Sequence, residues 1–421
     1  MQKISVVLET ITPLFLGGAD PRGKPELRAP SVRGALRYWL RALLGGVYGD
    51  DHRGLQKIKQ KETEIFGDTN SGSNLVCQMR ELHQITGIPL QLDQKNRPGE
   101  TYLLWANSTK DGTRKYLNET SFELFLKPRI GGTMNAQNFN LVAASLWLLL
   151  YFGGLGTRSR RLMGSLRVNA VKNWPDDLPS LDFKCDEPNA LAERLASSIK
   201  QLRRLLPVET HAKFSSYSEF DIFHPDHTAI YVWNQKKSVQ ELVEDFGNDL
   251  QKKRLRTPPD YQAVLDVIHG KKSSTELLRP GFGLPLQFFF RSEFERILKE
   301  NGVPHNDSLQ KRKLRPKATA TLEPWRRGRE DDESKQMSRR ASPVHFHVTA
   351  LNHDYHTVVA TFFKSRFLPD RTQIRVKPGD RDQKPWALDF GGYDLVEAYF
   401  QEKEKEQEVY RLDFANSEVK A

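Results

Sequence analysis

Three arginines raise the first chemical question. In SVRGALRYWLRALLG, residues 31–45, Arg33, Arg37 and Arg41 recur every four positions. On a helix such residues drift by only about 40° per step, so all three project from one side. Val32, Leu36, Trp39, Leu40 and Leu43 form the neighbouring apolar stripe, and no acid in the segment neutralises the cations. Guanidinium groups in a row repel one another unless anions are near. Ser31 is placed as an N-cap, and free N–H groups from Ser31 to Arg33 would add a positive dipole end. The pattern suits phosphate. The competing reading is a solvated helix face.

A second cluster is GGLGTRSRRLMGSL, residues 153–166. Gly153, Gly154, Gly156 and Gly164 permit close backbone approach. Thr157, Arg158, Ser159, Arg160 and Arg161 supply hydroxyl and forked guanidinium donors that match phosphate oxygens. A Walker loop needs G-x-x-x-x-G-K-[ST] leading from a strand into a helix. Here a helix enters and a strand leaves, so a nucleotide cofactor is not expected. A chain-like polyanion fits better, with a flexible turn as the alternative. RPGFGLPLQFFF (279–290) and RRASPVHFHV (339–348, with Arg339 and Arg340) combine arginine with aromatics, as single-strand RNA sites do. Phe288, Phe289 and Phe290 cannot all face one way in a strand, so at least one belongs to a core.

Catalytic and metal-binding sets are sparse. His345 and His347 alternate and could share a strand face, with His353 and His356 nearby. A metal site needs three or four ligands in supporting geometry, and a lone H-x-H is more often structural. Asp20 is the one acid placed to act as a general acid–base group, with an ordinary turn aspartate as the alternative. Gly17–Asp20 and Gly391–Asp394 resemble fragments of a nucleotidyl-cyclase hairpin but lack the paired aspartates of two-metal chemistry. No Ser-His-Asp or Cys-His set is readable. We therefore expect no catalytic residues, no metal and no cofactor.

The 421 residues suffice for two or three domains. A net charge of +11 favours a polyanionic partner. Cys77 and Cys185 have no metal or redox spacing, consistent with reduced thiols in a cytoplasmic protein. The apolar run from Leu141 to Phe152 is too short to span a bilayer, so no membrane segment is expected.

The elements that must carry these residues follow from periodicity. Residues 3–9 alternate as a strand, and a helix runs from Ser31 to about Leu44, closed by Gly45 and Gly46. Residues 46–74 read as irregular. Strands are expected near 75–80, 102–106, 121–126 and 165–171, and a second helix over 136–151. Strand, helix, strands, helix, strand is the ferredoxin-like βαββαβ order, which RNA-recognition motifs share. Residues 172–188 read as a linker and 190–206 as a basic helix. The second half shows strands at 228–233, 344–351 and 357–367, a helix over 239–255, and a long basic stretch, 311–340, with Arg326, Arg327 and Arg329. Glu402–Glu408 reads as a charged helix end. The fold class is α+β, two ferredoxin-like domains with helical and loop insertions. The domains are 1–175, a linker and helix over 176–212, 213–400, and a charged tail over 401–421.

The segment Thr12–Gly46, TPLFLGGADPRGKPELRAPSVRGALRYWLRALLGG, resembles the opening of RAMP-superfamily proteins of CRISPR systems. The loop 153–166 resembles their glycine-rich loop, although most members carry glycine where Leu162 or Met163 stands. Glu64–Gly67 resembles the Phe-Gly element that follows their first helix. GGADPRG, GFGLPL at 281–286 and RRASPVHF at 339–346 make the resemblance greatest to the first-numbered subunit of type III-B (Cmr) effector complexes. The resemblance covers both halves of the chain. It implies a non-catalytic subunit that binds CRISPR guide RNA near its 3′ end and helps capture target single-stranded RNA. Its implied partners include the other subunits of the Cmr effector complex, and target cleavage would belong to a different subunit. The alternative is a metal-independent endoribonuclease, like the RAMP relatives that process guide precursors.

Overall fold

The computed structural model describes residues 3–413 and 419–420, apart from 110–111, 183, 256–257, 327–336, 338 and 353. Arg327, Arg329 and His353 lie outside the described residues. The chain forms two compact units. The first comprises residues 1–251, 344–365 and 403–421, and the second 252–343 and 366–402.

The first unit opens with strand β1 (Ile4–Thr10), in which Ile4, Val6 and Leu8 are buried. Helix α1 (Ala29–Tyr48) and helix α2 (His52–Phe66) follow. After β2 (Leu75–Glu81) come the short helix α3 (Pro98–Leu104), β3 (Ser121–Pro128), α4 (Ala136–Phe152) and β4 (Leu166–Lys172). The strands form an antiparallel sheet ordered β2-β3-β1-β4. This is the expected ferredoxin-like order. Helix α4 is apolar nearly all round and starts at Asn135, whose side chain accepts from the Asn138 N–H at 2.7 Å. Trp39 and Leu40 of α1, Phe122 of β3 and Trp147 and Phe152 of α4 belong to one buried cluster.

The chain continues through α5 (Pro188–Leu205), β5 (Thr228–Trp233) and α6 (Val239–Leu255). It then builds the second unit from α7 (Pro258–Ile268), β6 (Leu286–Phe289), α8 (Arg291–Glu300), α9 (Ser308–Leu314) and β7 (Thr319–Arg326). Back in the first unit, β8 (Val344–Ala350) and β9 (His356–Phe363) form a hairpin. The second unit is completed by β10 (Thr372–Pro378) and β11 (Trp386–Leu388), giving a sheet ordered β6-β7-β10-β11. Helix α10 (Asp394–Lys405) and strand β12 (Val409–Leu412) follow, and the short strand Val419–Lys420 pairs with β12 as a fifth, outer strand. The order β8-β9-β5-β12 repeats that of the first sheet. The two halves thus share a topology that no sequence repeat betrays.

Several expectations are corrected. Ser31 is not an N-cap. Pro30 lies in the first turn of α1, the cap is Arg28, and the Ser31 N–H is donated to the Arg28 carbonyl. Gly45 and Gly46 do not stop the helix but lie inside it. A Cβ on Gly46 would collide with the carbonyl oxygen of Phe223, so the glycines admit the crossing segment 220–223. Residues 52–66 are helical, capped by Asp51 and anchored through buried Ile58, Ile65 and Phe66. Tyr102–Ala106 is not a strand, because the Glu244 carboxylate of α6 caps α3 through the Gly99 and Glu100 N–H groups at 3.0 and 2.9 Å. Residues 311–326 are helix, turn and strand rather than loop. Val409–Leu412, within the stretch read as a tail, pairs with β5.

Candidate RNA interface

Arg33, Arg37 and Arg41 do share one face of α1, but that face meets α2 instead of open solvent. Arg41 forms a two-pronged pair with Glu62, at 2.5 and 2.7 Å. Arg37 donates to the carbonyls of Phe66 and Gly67 at 3.1 and 2.8 Å, and lies 3.6 Å from Glu62. Arg33 reaches the Phe66 carbonyl more loosely, at 3.4 Å. The expectation of three unneutralised cations therefore fails for Arg41, whose acid comes from the next helix. The three arginines still line an open cleft of about 740 Å³, with Lys59, Glu62 and Asp68 among its other charges. Four cations face two acids there, which leaves a positive surplus. On the same helix Gly34 is exposed, and a Cβ on it would meet nothing within 4 Å.

The glycine-arginine loop is folded tightly on itself. The Thr157 N–H is donated to the Phe15 carbonyl, Gly164 N–H to Pro13, and Leu155 N–H to Gly164. Gly156 and Gly164 have φ of 79° and 69°, and a Cβ on either would strike the carbonyl of Phe15 or Leu155. Gly153 packs against the Trp39 indole, and Gly154 against the backbone at 163–164. These glycines shape the loop; they do not form a free phosphate cradle. Arg158, Ser159 and Arg160 are half-buried, while Arg161 is buried over the Phe346 ring at 5.9 Å. Arg161 is thus a packing residue more than an outward donor.

Arg160 joins the two clusters. Its guanidinium lies 5.2 Å from the ring centroid of Tyr38, the residue after Arg37, and 3.6 Å from Asp221. The Tyr38 hydroxyl donates to Asp221 at 2.6 Å and lies 2.9 Å from His345 Nε2, which must then donate to the phenol oxygen. Ser365 donates to the second oxygen of Asp221 at 2.7 Å. Sequence reasoning missed Tyr38 and Asp221, since 183 residues separate them.

The residues considered for catalysis are engaged elsewhere. His345 and His347 are both buried on one face of β8, and His347 Nδ1 bonds the Gly153 carbonyl. Burial pushes His347 down to about 4, and burial beside Arg160 and Arg161 holds His345 well below the usual range. Asp20 closes a surface turn by accepting from the Arg22 N–H at 2.9 Å. Among the described residues no group of three His, Cys, Asp or Glu is placed to hold a metal, and no helix is long and apolar enough to cross a membrane.

In the second unit, the two motifs rich in arginine and aromatics meet. Leu284 and Arg340 exchange backbone hydrogen bonds at 2.8 and 3.1 Å. The Arg340 guanidinium donates to the Arg366 carbonyl at 2.7 Å, so it is structural, whereas Arg339 is exposed.

Residues 7–167 match the RAMP superfamily model. The Pyrococcus furiosus CRISPR system Cmr subunit Cmr1-2 is 32% identical over 181 residues, 39% of this chain and 94% of that protein. The chain belongs to the Cmr1 branch of the RAMP superfamily. A second Pyrococcus protein, Cmr1-1, is 27% identical over 263 residues, covering 61% of this chain and 74% of its own. The apo crystal structure of Pyrococcus Cmr1 superposes with a TM-score of 0.54 and 22% identity, over 88% of this chain and 90% of that one, and shows the shared fold.

The RAMP signatures now have physical readings. The Phe-Gly element supplies the two carbonyls that hold Arg37. Leu162, where the resemblance leads one to expect glycine nearby, has φ of 69°, the left-handed region that glycine favours. It is fully buried and its N–H bonds the Phe346 carbonyl, so packing offsets the backbone strain.

Proposed function

We propose that this Cmr1-type protein is a non-catalytic, RNA-binding subunit of a cytoplasmic type III-B CRISPR effector complex. In this reading it contacts guide RNA near its 3′ end and helps capture target RNA. The observation that carries the reading is the placement of Arg160 on Tyr38, which sets the loop cation beside the arginine face of α1. The RNA strand runs over α1 at Gly34, where the helix presents bare backbone one turn before Arg37 and Tyr38. Arg33, Arg37, Arg158 and Arg160 pair with successive phosphates. Arg339, exposed in the second unit, is a separate candidate cation. The two ferredoxin-like halves are the sheet within residues 1–175 and the sheet of β5, β8, β9 and β12, which extends past residue 400, with the helix of 176–212 between them in sequence. The names of the Pyrococcus relatives, subunits of a CRISPR Cmr system, support assembly with other subunits.

Salt titration of single-stranded RNA binding tests the contact. Replacing Arg158 and Arg160 by alanine should weaken affinity for all sequences and flatten the salt slope by about 1.4, at ~0.7 per lost phosphate contact. An unchanged slope would refute the loop's role. The non-catalytic reading is supported by Asp20 and His345, which serve a turn and a buried hydrogen bond. Chelator-resistant cutting of precursor RNA by the purified chain, abolished by changing either residue, would overturn it.

A further inference from the structure

We infer that the second unit carries its own contact for single-stranded RNA, centred on Phe289. This rests on the reading of the chain as an RNA-binding subunit but uses none of the residues assigned above. The triplet Phe288–Phe290 splits by strand alternation. Phe288 and Phe290 are buried, while Phe289 is 41% exposed. Its ring is not an isolated surface aromatic. Arg315 holds its guanidinium carbon 4.7 Å from the ring centroid, and Phe294 of α8 meets the ring edge-on at 5.5 Å. A planar cation over an aromatic face is the platform on which a base stacks.

The chain beside this platform is densely cationic. Residues 308–322, SLQKRKLRPKATATL, contain Lys311, Arg312, Lys313, Arg315 and Lys317 and no acid. Arg312, Lys313, Arg315 and Lys317 are exposed, and none pairs with an acid among the described residues. This contrasts with Arg41, which its neighbouring helix neutralises. Unneutralised cations beside an exposed ring match a ribose-phosphate strand: backbone to the cations, one base on Phe289. An acidic protein surface would use the charges but has no need of the arginine-capped ring.

The test uses the full chain and a labelled single-stranded oligouridylate, with the dissociation constant read at several salt concentrations. Phe289→Ala should weaken binding about tenfold at every salt concentration, leaving the slope unchanged, and Phe289→Trp should restore it. The exposed-charge variant Arg312→Ala/Lys313→Ala/Arg315→Ala perturbs no buried side chain and should lower the slope by about 2. If both variants bind as the parent does, the inference is overturned. If they bind RNA normally but drop out of the assembled complex, the face belongs to a protein neighbour and the inference is equally overturned. A parent chain that does not bind the oligonucleotide would instead sink the broader reading of the protein.

Discussion

Arg160 rests on the ring of Tyr38, while Arg37, one residue earlier on the same helix, is held by the carbonyls of Phe66 and Gly67. Two clusters more than a hundred residues apart in sequence are thereby referred to one helix. The phenol does more than support a cation, because its hydroxyl links Asp221 to the buried His345. Tyr38→Phe should keep the ring under Arg160 yet leave those partners short of a hydrogen bond. We expect a loss of about 1–3 kcal/mol in unfolding free energy, measured by denaturant titration, with RNA affinity nearly unchanged in folded protein.

Gly34 offers a separation in the opposite sense. It lies exposed in the helix with no neighbour against its Cβ position. Gly34→Ala should therefore stabilise the free protein by up to about 1 kcal/mol, the helix-propensity difference. If RNA crosses α1 there, the same methyl should weaken RNA binding several-fold. Thermal melts and binding assays on one protein sample would read both effects.

Glu62 bears on how much of the arginine row is available. It neutralises Arg41 and lies 3.6 Å from Arg37. The Arg41 side chain is 52% exposed, although that of Glu62 is only 15% exposed, so solvent screening keeps the stability cost of removing the pair small. Glu62→Gln should raise affinity for single-stranded RNA and steepen its salt dependence, by about 0.7 if Arg41 gains one phosphate. An unchanged slope would place Arg41 outside the contact.

Two of the buried histidines, His345 and His347, predict a pH dependence of folding. His347, lowered to about 4, and His345, lowered well below its usual value, are neutral in the fold but take up protons when unfolded. Between about pH 6.5 and 4 the unfolded chain binds more protons, so stability rises with pH and falls on acidification. For His347 the full effect is of order 3 kcal/mol. The groups facing the pair are Tyr38, Trp39, Phe363, the Arg160 and Arg161 cations and the Gly153 carbonyl. His347→Asn should flatten the midpoint-versus-pH curve over that window, whatever its effect on the midpoint at neutral pH.

What could be read from the sequence was what local periodicity encodes. The alternation of β1, the apolar runs of α1 and α4 and the turn glycines gave the first ferredoxin-like half in order. The misreadings arose where a distant residue decides a local structure. Residues 98–104 are helical because Glu244 caps them, and Gly45 and Gly46 continue a helix because residues 220–223 cross over it. Neither partner is visible within a window of fifteen residues. The second sheet was legible strand by strand, but its fourth strand hid in a run of charges whose buried positions are only Val409 and Leu412. For the interface, residue types were informative and states were not. The sequence placed three arginines on one face, yet it did not show that Glu62 neutralises Arg41 or that Arg161 is buried on Phe346.

The most direct test is to crosslink bound single-stranded RNA to the chain within the assembled complex and map the attachment sites by mass spectrometry. The account requires attachments in peptides spanning residues 31–41 and 153–164, both lost when Arg37 and Arg160 are replaced by alanine. Attachments confined to other surfaces, with these two segments unmodified, would contradict it.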